Sequence, residues 1–147
     1  MKLLFHENMS GGYHLLAHPL EDCVAELSLD VSIERLRDFV RAPSLHVEGV
    51  VSLAGVATAK ACTGKIALRV VNEQRIPYDL HFTGDDGRAY QLYGQRDLTV
   101  PKLADALTTL PMSLCDDSGR EIGRAVLRFD MRTELVQLLR SIRVILW

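Results

Sequence analysis

The sequence lacks a charge excess of either sign and a long apolar run. Its 17 Lys and Arg residues nearly balance 19 Asp and Glu residues, and the formal net charge is -2. Such a balance provides no electrostatic field to hold a polyanion, so we expect no nucleic-acid partner. No window approaches the roughly 18 apolar residues of a membrane-spanning helix. The first residues also lack the apolar segment of a secretory signal, which predicts a cytoplasmic protein without a membrane span.

Paired cysteines and catalytic sequence motifs are also absent. Cys23, Cys62 and Cys115 form no C-x-x-C pair, and we expect them to be free, buried thiols. The sequence has no G-x-S-x-G nucleophile turn, no G-x-G-x-x-G loop and no Walker loop. These absences predict no cofactor and favour a protein that is not an enzyme.

Histidines and acids that are typical of metal sites are present but poorly arranged. His6, Glu7, His14 and His18 lie close in sequence, yet glycines and a proline around them predict an irregular segment and not a helix. We therefore expect no metal site here. His46 and His81 fall on predicted polar strand faces, each two residues from an acid.

Apolar and polar residues alternate along most of the chain, which is typical of strands with one buried face. The predicted strands cover 23–31, 45–53, 66–70, 76–82, 90–94, 112–114 and 123–129. The small-residue stretch 54–61 reads as a turn. Gly84-Asp85-Asp86-Gly87 and Asp116-Asp117-Ser118-Gly119 each predict a hairpin turn, because glycine supplies the positive φ of a tight reversal. Turn formation explains these acidic pairs better than calcium binding does.

Two segments show the apolar spacing of short helices. The first covers 33–42 and ends before Pro43, and the second covers 133–145. A single helical turn is also expected within 100–107, after Pro101. The chain is thus predicted to be one mainly β domain over 1–147 with two short helices. Its strands are expected to form an antiparallel meander, either a barrel, which could be lipocalin-like, or a sandwich.

The predicted inward positions define the candidate site, an apolar interior. A barrel of about eight strands either fills its interior with side chains or encloses one small ligand. Aromatic residues make up only 6% of the chain, so a cavity would have aliphatic walls suited to a sterol or an acyl chain. The candidate lining residues are Leu27, Leu29, Val47, Leu68, Tyr78, Leu80, Phe82, Tyr90, Leu92, Leu127 and Phe129.

Several separated residues follow one another in a family-like order. They are Phe5, Glu7, Met9 and Gly11, then Leu80, Phe82, Asp86 and Gly87, then Tyr90, Leu92 and Gly94, then Thr108 to Leu110, and finally Gly123 with Leu127. This order resembles the accessory β domain beside flavin-dependent glucose-methanol-choline oxidoreductases of the cholesterol oxidase type. In those proteins the flavin and catalysis belong to another domain, so no catalytic residue is carried over. The resemblance implies lipid or sterol metabolism and an oxidoreductase partner.

These observations favour a non-catalytic binding or accessory module that holds a small apolar ligand or supports an oxidoreductase. The alternative is a self-associating protein that uses the C-terminal helix and the apolar run Ile142 to Trp147. A third hypothesis is a small enzyme with histidines at the mouth of a cavity. It requires at least two of His6, His14, His18, His46 and His81 to converge with an acid.

Overall fold

Eight antiparallel strands form a closed barrel in the computed structural model, which describes residues 2–33, 44–69, 73–97 and 109–128, with side chains from His6 onward. Each strand pairs with the next along the chain, and β8 pairs back with β1. The fold class predicted from alternation is therefore confirmed as a meander barrel. The strands are β1 Lys2–Leu15, β2 Cys23–Ile33, β3 Ser44–Leu53, β4 Ala57–Ala67, β5 Arg75–Thr83, β6 Ala89–Asp97, β7 Thr109–Cys115 and β8 Glu121–Arg128.

The period of two places one side of every strand inside the barrel. On β2, Leu27, Leu29 and Val31 are buried, whereas Glu26 and Asp30 are exposed. The same separation holds around the ring, so the inward side chains make one continuous hydrophobic core. Because every strand has two neighbours, the closed sheet leaves no strand edge free for pairing among the described residues.

Two of the connections are the predicted hairpin turns, and both are confirmed. Gly87 and Gly119 have φ angles of 80° and 83°, the left-handed region that glycine adopts without strain. In each turn the first residue donates its amide to an arginine carbonyl, Gly84 to Arg88 and Asp116 to Arg120. The two turns therefore share one geometry.

The first strand corrects one prediction. The segment around Gly11 and Gly12, interpreted as an irregular corner, is part of a strand of 14 residues that pairs with both β2 and β8. Glycine is required at position 11, because a Cβ there would lie 2.0 Å from the carbonyl oxygen of Val126. Glycine in this strand marks a close backbone approach and not a chain reversal.

Two further boundaries differ from the predictions. Ile33 belongs to β2 and not to a helix, because the alternation of β2 and its pairing with β1 continue to that residue. The turn predicted over 54–61 is shorter, since β4 begins at Ala57 and its small residues pair with β3. The described residues contain no helix. Most of the predicted helix 33–42, the turn within 100–107 and the helix 133–145 lie outside the described residues.

The meander gives the two ends of the barrel different connections. At one end lie 16–22, 54–56, 84–88 and 116–120, which include the tight turns. At the other end lie the last residues of β2, β4, β6 and β8 and the first residues of β1, β3, β5 and β7, between which the sequence has its two longest connections. We call this second end the long-connection end.

Candidate functional site

A charged and hydrogen-bonded network crosses the apolar interior. Its members are Glu7 on β1, Tyr78 on β5 and Arg96 on β6, with relative exposures of 4%, 0% and 0%. The Tyr78 hydroxyl lies 3.2 and 3.1 Å from the two carboxylate oxygens of Glu7. Arg96 donates from Nε to the Tyr78 hydroxyl at 3.2 Å, and its Nη2 lies 3.5 Å from Glu7 Oε1. We call these three residues the interior network.

Strand periodicity explains why these polar groups point inward. Arg96 follows Leu92 and Gly94 on the inward side of β6, and it pairs with the buried Ile76. Tyr78 pairs with Gly94, where a Cβ would lie 2.2 Å from the carbonyl oxygen of Pro111 and 2.9 Å from Met112 Cγ. The Arg96 guanidinium lies 5.3 Å from the centre of the Tyr78 ring, a cation–π distance.

Burial dominates the electrostatics of the network. It raises the pKa of Glu7 above 4.5, although the positive charge of Arg96 and the hydrogen bond from Tyr78 act in the opposite direction. Burial and the nearby Glu7 carboxylate also raise the pKa of the Tyr78 phenol, which stays protonated and able to donate. The network therefore offers two donors, a guanidinium and a phenol, facing one carboxyl group whose pKa is raised by burial.

The network also lies toward the long-connection end. Arg96 is the last residue but one of β6, and its partner Ile76 is the second residue of β5. Connections 68–74 and 98–108 adjoin these positions in the chain. The chemistry of the interior is thus concentrated near the long-connection end.

Most predicted lining residues belong to the core that surrounds this network. Tyr90 is half-buried and stacks on Phe82 with ring centres 5.6 Å apart, and Phe129 lies outside the described residues. That these residues enclose a cavity stays a prediction. The buried members are Leu27, Leu29, Val47, Leu68, Tyr78, Leu80, Phe82, Leu92 and Leu127.

Sequence reasoning missed Arg96 and gave Glu7 another role. Glu7 was considered as a poor metal ligand and as one position of the family-like order, although it falls two residues before Met9 on what proves to be an inward register. Arg96 extends the inward series Leu92 and Gly94 by one step. The signal was available in this alternation, but arginine at the end of a strand is ordinarily exposed.

The outer surface carries a second polar cluster on β1 and β2. His6 Nδ1 lies 2.6 Å from Asp30 Oδ1, and Ser28 Oγ lies 3.0 Å from His6 Nε2. Asn8 Oδ1 also lies 3.0 Å from Nε2. A depression of about 280 Å3 beside this cluster is lined by Asn8, Ser10, Glu26, Ser28 and Ser52, with Met9, Leu27 and Val50.

The other candidate groups lie elsewhere. His46 contacts Glu48 and His81 contacts Asp79, each at 3.1 Å, as expected for polar strand faces. Of the three thiols, all free as predicted, Cys62 is buried, whereas Cys23 and Cys115 are half-buried and so correct the expectation of full burial. In the part of the chain that the structure describes, no group of three or more His, Cys, Asp or Glu residues has the geometry of a metal site.

No helix among the described residues has the length and apolar character needed to cross a membrane. Comparisons with protein-family models, curated proteins and solved structures find no match to this chain. The resemblance to an oxidoreductase accessory domain therefore stays a prediction, and the site is interpreted from its own geometry.

Proposed function

We propose that this chain is a binding module that holds a small apolar molecule with an acidic head group inside its barrel. The observation that carries the proposal is the interior network, a guanidinium, a phenol and a carboxyl group in an otherwise apolar core. Stability alone does not call for such a network, since apolar replacement of a buried ion pair is often neutral or stabilising. Convergent polar groups in an apolar enclosure are typical of ligand sites.

The chemistry of the network favours a carboxylate as the ligand's head. Arginine binds carboxylates through several parallel donors, and the Tyr78 phenol adds another. Glu7 now takes the position of that carboxylate, 3.5 Å from Arg96. Its raised pKa lets it take up a proton when a ligand acid arrives, so the interior gains no additional net charge.

The apolar part of the ligand is matched by the aliphatic core. Leu29, Val47 and Leu80 have no exposed surface, so ligand access requires these side chains to move. The long-connection end adjoins the network and is the proposed route. A lipocalin-like mode of binding, with one ligand in the barrel, follows from this proposal.

Native mass spectrometry of protein purified from its own host, together with a fluorescence titration, tests the proposal. The probe is cis-parinaric acid, with oleate and oleyl alcohol as competitors that differ only in the head group. We expect oleate to compete at least about tenfold more tightly than the alcohol, and Arg96→Met to abolish this difference. The exposed Arg124→Met is the matched control. Absence of a retained molecule, together with no probe binding, would show that the network is architectural.

Two further proposals concern partners. An association with an oxidoreductase of lipid or sterol metabolism rests on the resemblance alone. Self-association through residues 133–147 rests on their apolar sequence alone, since they lie outside the described residues.

A further inference from the structure

The outer cluster contains a serine, a histidine and an aspartate in one hydrogen-bonded order. Asp30 accepts from His6 Nδ1 at 2.6 Å, and Ser28 Oγ meets the opposite ring nitrogen, Nε2, at 3.0 Å. The strand register fixes this order, because His6 pairs with Asp30 and Asn8 pairs with Ser28. Asn8 Oδ1 also faces Nε2 at 3.0 Å. The arrangement of a nucleophile, its base and an orienting acid therefore requires the proton on Nδ1 and rotation of the Asn8 amide so that its oxygen no longer faces Nε2.

The cluster is accessible and adjoins space for a substrate. The His6 side chain is 45% exposed, and Ser28 and Asn8 both line the depression of about 280 Å3. A volume of this size accommodates a small acyl group. The carboxylates of Glu26 in the depression and Asp30 beside it disfavour an anionic substrate.

We propose that Ser28, His6 and Asp30 form a hydrolytic site for small uncharged esters, an activity that goes beyond the proposed binding of a ligand inside the barrel. Asn8 supplies the hydrogen-bond donor for the oxyanion, because a side-chain amide can donate to the negative charge that develops on the carbonyl oxygen. Its Oδ1 lies 3.0 Å from His6 Nε2, on the same side as Ser28, and rotation of the amide exchanges this oxygen for the NH2 donor. The backbone amides of this region belong to paired strands, so the oxyanion depends on Asn8.

The reaction proceeds by two acyl transfers without a redox change. Ser28 Oγ attacks the ester carbonyl carbon and gives its proton to His6 Nε2; the bond to the leaving oxygen breaks, and the departing alcohol takes that proton. Water then attacks the acyl carbon and gives one proton to His6. The bond to Ser28 Oγ breaks, Oγ recovers the proton, and the free acid leaves.

A single oxyanion donor on an exposed surface predicts modest rates, so the test uses activated reagents. The full-length protein is incubated with p-nitrophenyl acetate and, separately, with a fluorophosphonate probe, followed by peptide mass spectrometry. We expect acylation and labelling at Ser28, with both lost in Ser28→Ala and His6→Gln. Asp30→Asn should slow acylation by about tenfold or more. Ser44→Ala, at an exposed serine that does not line the depression, should retain both activities.

The outcomes separate this proposal from the interior one. Labelling that is absent, that falls on another serine, or that persists in His6→Gln would overturn the hydrolytic site. Each variant is expected to fold, because these side chains lie on the barrel surface, and circular dichroism checks this. Parinaric acid binding reports on the interior alone and should be unchanged in Ser28→Ala, so either proposal can fail while the other stands.

Discussion

The Tyr78 hydroxyl joins Glu7 across the barrel, at 3.2 and 3.1 Å from the two carboxylate oxygens, although the residues are 71 positions apart in sequence. Their strands, β5 and β1, are four strands apart in either direction around the ring. A contact of this kind forms only when the barrel closes. It therefore links closure of the sheet to the satisfaction of buried charge.

Removal of the Glu7 side chain should be strongly destabilising. Glu7→Ala takes away the carboxylate that faces Arg96, and breaking a buried pair in this way costs about 3–5 kcal/mol. The double replacement Glu7→Leu with Arg96→Met removes both charges and should cost less than Glu7→Ala alone. Urea denaturation measures each free energy of unfolding. The exposed Glu26→Ala is the control, expected within about 0.5 kcal/mol of the original protein. Equal effects of Glu7→Ala and Glu26→Ala would contradict the prediction.

The raised pKa of Glu7 predicts a specific dependence of stability on pH. Because the folded pKa exceeds 4.5, the folded state holds a proton that the unfolded state releases first. This contribution is fully present below the unfolded pKa and is lost as pH rises through the folded pKa. The Glu7→Gln variant exchanges no proton at this position, so its free energy of unfolding should fall less than that of the original protein as pH rises. The measurement is urea denaturation of both proteins at pH values from 4 upward, and parallel pH curves would disprove the assignment.

The extent to which sequence predicted this molecule depends on the range of each signal. Two local features predicted the meander and both hairpins correctly. One is alternation, as in the segment Ile76 to Phe82, and the other is glycine at turns, as at Gly87. The prediction at Gly11 was wrong because a close approach between distant strands has the same local sequence signature as a corner. The interior network depends on closure between β1 and β8, which no local pattern encodes. The alternation of β6 placed Arg96 on the inward side, but no local pattern indicated the Glu7 and Tyr78 partners that accompany its burial.

Gly11 and Gly12 provide a matched test of close backbone approach. A Cβ at position 11 would lie 2.0 Å from the Val126 carbonyl oxygen, whereas at position 12 the nearest contact is an ordinary 3.7 Å to the Cys23 carbonyl oxygen. Gly11→Ala should therefore destabilise by about 1–3 kcal/mol or more, because backbone has to shift. Gly12→Ala should be neutral or stabilising by up to roughly 1 kcal/mol, since alanine loses less entropy in a strand. Thermal and urea unfolding compare the two, and similar values would refute the close approach.

Asp85, in the connection 84–88, forms hydrogen bonds to Val56 in the connection 54–56 and to Thr58 just after it. It accepts from the backbone amide and the hydroxyl of Thr58 at 2.9 and 2.8 Å, while its own amide donates to the Val56 carbonyl at 2.8 Å. The hydrogen bonds from Thr58 hold the pKa of the Asp85 carboxyl below its ordinary 3.8. We expect Asp85→Ala to lower the melting temperature at neutral pH, and to do so more than Asp117→Ala, an exposed aspartate of the matching turn.

The pH dependence of this difference follows from the lowered pKa. A carboxyl whose pKa is depressed by folding stabilises above its unfolded pKa, and that contribution disappears as pH falls through the folded value. The gap in melting temperature between the original protein and Asp85→Ala should therefore narrow below pH 3.8. Differential scanning calorimetry at neutral and acidic pH measures this gap. A gap that stays constant with pH would mean that the carboxylate charge is not what joins Thr58 to the hairpin.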